Sequence, residues 1–334
     1  MKKKTNLRRS MCLLLFLTFN SLLCFSQNNF SVKRKILDAD DNLLPGVFFK
    51  FQSRARQISR CRERLRKKFV YAIEITPNKT AATIFLAGNS TVVDPDREPW
   101  AAWGQMFPRF FIPNKIAVAN YAESGETLKA FKGERRLEKI WSMAKPGDYL
   151  FIEFTHNDQK PGGNYLEPFT TYKQTLKEWI AEARKRKITP VLVTSMHRRS
   201  FDSAGHITNT LSDYPEAMRQ TAKEESVTLI DLNAMSKILY EAWGPGRSIK
   251  AFVHYPANTF PAQKEELKDN THFNPYGAYE LARCVVQSIK EQQLPLTKYL
   301  KKDVSLFNPA HPDTLEKWYW PLSTMMSSVK PDGN

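Results

Sequence analysis

Four short stretches of the chain hold the residue types from which an acyl-transfer site is built. FLAGNS (85–90) ends an apolar run on a serine, Ser90. AESGET (122–127) carries Ser124 and Gly125, THNDQK (155–160) carries His156, Asn157 and Asp158, and DNTHFNPYGA (269–278) carries Asp269 and His272. A serine hydroxyl is a poor nucleophile until a neighbouring base takes its proton. Imidazole is the commonest such base, and a carboxylate can hold its tautomer. Backbone N–H groups and side-chain amides are the usual donors to the oxyanion that follows. Each stretch also has an ordinary reading. Ser90 or Thr91 can cap a helix, Ser124-Gly125 can be a turn, Asn157-Asp158 a loop, and Asp269 and His272 caps of the last helix.

The elements around these stretches decide where they fall. Short Val/Ile/Leu-rich runs at 84–87, 115–122, 148–154, 189–196 and 227–232 read as buried strands. They alternate with helical patterns near 101–111, 135–144, 169–187, 214–225 and 233–243, and a last helix is expected over 275–291. Such alternation predicts a parallel sheet covered on both faces, and right-handed crossovers make it a three-layer α/β/α sandwich of about five strands with flavodoxin-like character. Ligands of open α/β sheets bind beyond the carboxyl ends of the strands. Three of the four stretches lie at such ends.

The chain has 334 residues and a formal charge of +16. The charge is unevenly placed. Residues 1–70 hold 17 Lys+Arg against 4 Asp+Glu, and the remainder holds 33 against 30. The nearly balanced body argues against nucleic acid as a partner. MKKKTNLRRS followed by MCLLLFLTFNSLLCF (11–25) reads as a secretory signal peptide cleaved after Ser26, which predicts a secreted or periplasmic protein with no stable membrane span. Residues 27–69 are densely basic and poor in apolar periodicity, and read as a poorly structured segment. A hydrolase domain is expected over 70–300, beginning with a strand in VYAIEI, and a C-terminal tail over 301–334 that packs on the domain or trails from it. Cys61 and Cys284 are too far apart in sequence to declare a pairing. No metal-ligand spacing is visible, so no metal or other cofactor is expected.

Taken in order, FLAGNSTVVD, EPWAAWGQMFPRFF, VANYAESGET, HNDQK and DNTHFNPYGAYELA resemble the SGNH (GDSL-like) hydrolase superfamily, and within it the rhamnogalacturonan acetylesterase family of carbohydrate esterases. The resemblance spans about residues 70–300. It implies that Ser90 is the nucleophile at the start of a helix, His272 the base and Asp269 its orienting carboxylate on the same short loop. It also implies an oxyanion hole formed by the N–H groups of Ser90 and Gly125 and the amide of Asn157. Two positions depart from the family pattern. Asn89 stands where Asp is usual, and Thr155 where Gly is frequent, so a different path is expected for the third loop. Some relatives carry a β-rich module before the hydrolase domain, of which residues 27–69 would be a remnant.

The same resemblance implies a monomeric esterase that removes acetyl groups from plant cell-wall polysaccharide, rhamnogalacturonan or pectin in particular. Acetylated xylan, a lipid or a thioester are alternative acyl donors, and a non-catalytic carbohydrate-binding relative is the alternative outside enzymes. His197, Arg198 and Arg199, after the fourth strand, either face uronic-acid carboxylates or form a solvated loop.

Overall fold

The computed structural model describes residues 30–32, 75–77, 80–260 and 263–319. The expected signal peptide, nearly all of the basic segment, Cys61, residues 70–74 of VYAIEI and the chain beyond Tyr319 lie outside the described residues. Two short strands, β1 (Phe30–Val32) and β2 (Ile75–Pro77), pair antiparallel.

Five strands then build one parallel sheet: β3 (Ala82–Gly88), β4 (Ile116–Asn120), β5 (Tyr149–Glu153), β6 (Thr189–Val193) and β7 (Thr228–Ile230). Their spatial order is β4-β3-β5-β6-β7. The chain therefore changes direction across the sheet after β4, and the carboxyl ends of β3, β4 and β5 gather at the switch point where open α/β sheets place ligands.

Alternation along the strands splits the core into two layers. Ile84 and Leu86, Tyr149 and Phe151, and Val191 and Val193 face one side. There they meet α1 (Trp103–Met106), α6 (Leu232–Arg247) and α7 (Pro275–Glu291). Phe85, Ala87, Leu150, Ile152 and Leu192 face the other side. That layer holds α2 (Leu128–Gly133), α3 (Arg136–Met143), α4 (Lys173–Lys185) and α5 (Tyr214–Glu224). Helix α4 shows why: Leu176, Trp179, Ile180 and Ala183 are buried at helical spacing while its lysines and glutamates face water. The three-layer expectation is met.

Several boundaries differ from expectation for local reasons. The helix expected over 101–111 is the single turn of α1 continued as a 3-10 turn, Phe107–Phe110, because Pro108 has no N–H to extend α1. Helix α2 was not anticipated. Its N-cap is Thr127, whose hydroxyl accepts from Ala130 N at 3.0 Å. Helix α6 turns at Gly244, which takes φ +72°. The larger difference is β8 (Phe252–Tyr255) paired antiparallel with β9 (Leu267–Phe273). Asp269 and His272 sit on this hairpin strand, not on a short loop. The hairpin is tied to the domain by Ala101 N donating to Phe273 O at 2.8 Å. Helix α7 follows at once, with Asn274 as its N-cap and Pro275 at its first position. Residues 301–319 pack on the domain: Lys301 N donates to Phe110 O, and Phe307 is buried against the core.

The approach of α1 to the turn after β3 is close enough to need glycine. A Cβ on Gly104 would lie 2.1 Å from Val92 O, which Asn120 Nδ2 already holds at 2.7 Å. Gly104→Ala is therefore expected to cost at least about 1–3 kcal/mol, the usual range for overpacking. Gly133→Ala, at a helical position with nothing within 4 Å of the added carbon, should be neutral or slightly stabilising. Thermal melts of the two variants test this. Equal melting temperatures would show that the turn can retreat from α1.

Candidate active site

Strand β3 runs buried to Gly88 and then breaks. The Asn89 side chain folds forward and its Oδ1 accepts from Thr91 N at 3.0 Å and Thr91 Oγ1 at 2.8 Å. Val92 N and Val93 N both donate to Asn89 O, at 2.9 and 3.1 Å. Ser90 thus stands in a single tight turn and not at the start of a helix. Pro95 and Pro99 follow too soon for a helix to propagate. The neutral amide of Asn89 keeps the turn, although its Nδ2 is buried without a partner among the described residues.

Across from this turn lies β9. His272 Nε2 is 2.8 Å from Ser90 Oγ, and His272 Nδ1 is 2.7 Å from Asp269 Oδ2. Asp269 Oδ1 also accepts from Thr271 N at 2.8 Å and His272 N at 3.0 Å. Burial alone would raise the Asp269 carboxyl, but the donors on His272 and Thr271 outweigh it and hold it at about 2. A hydroxyl, an imidazole and an ionised carboxylate are so joined in line, which is the arrangement needed to pull a proton off the hydroxyl.

The second strand end supplies Gly125, at φ +85°. Neither its N–H nor that of Ser90 donates to an acceptor among the described residues. The third supplies Asn157, whose Nδ2 donates to Glu126 O at 3.1 Å and whose Oδ1 accepts from Lys160 Nζ at 2.7 Å. Ser90, His272, Gly125 and Asn157 line one cleft of about 500 Å³, together with Trp100 and Lys160. The Arg97 guanidinium lies 5.5 Å from the centre of the Trp100 ring at its wall. Thr155 takes no positive φ, and its hydroxyl meets Phe154 O and Tyr172 Oη.

The basic stretch after β6 does not join the cleft. His197 is buried, and burial lowers its imidazole to about 4. Arg198 spends its donors on Thr210 O and His156 O. Arg199 binds Ser248 Oγ, Asn270 Oδ1 and Pro245 O. Its backbone N–H also meets Asn270 O, so it braces the hairpin beside Asp269. Guanidinium groups in that loop satisfy backbone carbonyls, which the charge pattern alone did not reveal.

Sequence reasoning also missed Glu153. It lies fully buried at the end of β5, paired in register with Gly88. Its Oε2 accepts from Trp103 Nε1 at 2.5 Å and its Oε1 is 2.8 Å from Thr91 Oγ1. Burial raises this acid to about 7 despite those hydrogen bonds. The one proton of the Thr91 hydroxyl cannot serve both Asn89 Oδ1 and Glu153 Oε1. A proton on Glu153 would supply the second, and burial favours that form of the acid. Among the described residues no group of three or more His, Cys, Asp and Glu is placed to hold a metal ion, and no helix is long and apolar enough to cross a membrane.

The sequence and the fold are similar to those of known proteins. Residues 86–278 match the GDSL-like lipase/acylhydrolase family. The chain is similar to the rhamnogalacturonan acetylesterase RhgT of Bacillus subtilis, 44% identical over 224 residues that cover 66% of this chain and 95% of that one. It is 39% identical over 224 residues to the probable rhamnogalacturonan acetylesterase YesY of the same organism, covering 66% and 98%. Among solved structures, protein YxiM from Bacillus subtilis matches with a TM-score of 0.57 at 27% identity, covering 70% of this chain and 65% of that one.

The raised acid gives a pH signature. A carboxyl whose folded value lies above its unfolded one stabilises the fold fully below the unfolded value, and that stabilisation is lost as pH rises through the folded value. For Glu153 the loss runs from the ordinary glutamate range up through about 7. Glu153→Gln keeps the neutral shape and should therefore flatten the decline in melting temperature between pH 5 and pH 8. A pH slope identical to that of the unaltered protein would mean that Glu153 is not protonated in the fold.

Proposed function

The chain belongs to the GDSL-like lipase/acylhydrolase family, and on that footing we propose that it is an exported serine esterase that removes acetyl groups from a rhamnogalacturonan-type polysaccharide. The observation that carries the esterase reading is the line Asp269–His272–Ser90, with contacts of 2.7 and 2.8 Å. The substrate reading is supported by the 44% identity to an acetylesterase of that polymer. The cleft lining sets Arg97 and Lys160 against Asp94, Asp96 and Glu123, so its charge by itself selects no polyanion. Export is supported by the basic start and apolar run of residues 1–26.

The proposed reaction proceeds in two halves. His272 Nε2 takes the proton of Ser90 Oγ as the oxygen attacks the acetyl carbonyl. The carbonyl oxygen becomes an oxyanion facing the N–H groups of Ser90 and Gly125 and the Asn157 amide. Collapse breaks the bond to the sugar oxygen, which leaves with the proton held on His272, and Ser90 retains the acetyl group. Water then attacks this ester with His272 again as base, releasing acetate and restoring the serine. Asp269, ionised throughout, keeps the imidazole in the tautomer with its proton on Nδ1 and stabilises the imidazolium.

Ser90→Ala and His272→Ala should each fold and lose at least about 10³-fold in turnover of a small acetyl ester, with the double variant little slower than either. Asp269→Asn should be less damaging than loss of the base but still slow by orders of magnitude. Acetate release from acetylated rhamnogalacturonan should exceed that from acetylated xylan. Near-normal turnover by folded Ser90→Ala would remove the serine from the reaction, and a preference for xylan would reassign the polymer.

A further inference from the structure

Lys160 is exposed, yet it holds Asn157 twice. Its backbone N–H donates to Asn157 O at 3.0 Å, which closes a turn, and its ammonium returns to Asn157 Oδ1 at 2.7 Å. Asn157 itself is almost completely buried, and its Nδ2 donates one hydrogen to Glu126 O at 3.1 Å. A primary amide has two N–H bonds and one oxygen. With the oxygen taken by a cation and one N–H taken by a carbonyl, the second N–H is left for the cleft that Asn157 lines beside Ser90 and Gly125.

From this geometry we infer that Lys160 is a positioning residue that fixes the Asn157 amide as an oxyanion donor. The inference rests on the proposed role of Asn157. Turned by half a rotation, the amide would bring its oxygen against Glu126 O and its NH₂ against the ammonium, two repulsive contacts in place of two attractive ones. A neutral residue at 160 removes the second of these penalties and the charge-assisted bond that opposes the turn. The cation also draws electron density from the amide oxygen, which strengthens the N–H as a donor along the chain of bonds. Lys160 acts through Asn157, so it needs no contact with the polymer.

A double-mutant cycle on a small neutral acetyl ester tests the inference. Lys160→Met should fold normally, since the side chain is exposed, and lower kcat by about 10-fold, the order expected for weakening one preorganised donor. KM should change much less. Asn157→Ala should lower kcat by about 10²–10³. Lys160→Met added to Asn157→Ala should then cost nothing further, because the group it positions is gone. Lys160→Gln, which can still donate to Oδ1, should recover part of the loss. Additive losses in the double variant would overturn the inference, as would an unchanged kcat in Lys160→Met accompanied by a raised KM for the acidic polymer. If Asn157→Ala turns over normally, the oxyanion role of Asn157 falls and the inference with it. If Asn157→Ala is slow and Lys160→Met is not, only the positioning role falls.

Discussion

A 2.8 Å contact between an imidazole and a hydroxyl joins two residues 182 positions apart. Neither element that carries them would hold that distance alone. Ser90 hangs from a buried strand by a turn of four residues, and the turn is pressed from behind by Gly104 of α1. His272 rides on a two-stranded hairpin outside the main sheet, tied down by backbone bonds to Ala101 and Arg199 and by the guanidinium of Arg199 on Asn270. The parallel sheet fixes the first partner, the α1 segment ties both sides, and α7 begins where the second partner ends. The rest of the molecule can be read as the support for that one distance.

Charge around the contact is sorted by depth. Asp269 is ionised behind the imidazole, where negative charge favours an imidazolium. Glu153 beneath the serine turn and Asp158 behind Asn157 are raised to about 7 by burial, and Glu126 to about 8 by burial and by Glu134. Burial disfavours the charged form of each while their bonds anchor the loops: Asp158 Oδ1 accepts from Leu128 N at 2.8 Å, and Glu126 faces Arg136 at 3.5 Å. Full negative charge at those three places would oppose an oxyanion forming above Ser90. Burial thus keeps the hydrogen bonds while weakening the unfavourable field.

The five sheet strands were legible because each carries a short apolar run, nearly unbroken in β3, β5 and β6, which are buried on both faces. The four chemistry-bearing stretches were legible because three of them end such strands. Strand β9 was not, since LKDNTHF is half polar and owes its extended form to pairing with β8 and to Ala101. Arg198 and Arg199 misled because a basic loop looks solvated, whereas planar guanidiniums also satisfy buried carbonyls. Glu153 and Lys160 were invisible for a common reason. What each does depends on which atom of another segment lies within 3 Å, and no spacing in the chain encodes that.

The hairpin has a consequence for how this protein comes into being. The five-stranded sheet takes no strand from β8 and β9, yet Phe252 and Phe273 are fully buried against Tyr240 of α6, so the hairpin also closes one helical layer. A chain that has formed the sheet, but has not seated β8 and β9, would keep its five parallel strands. It would nonetheless lack the base beside its serine. Catalytic competence therefore reports on the seating of the hairpin as well as on the sheet.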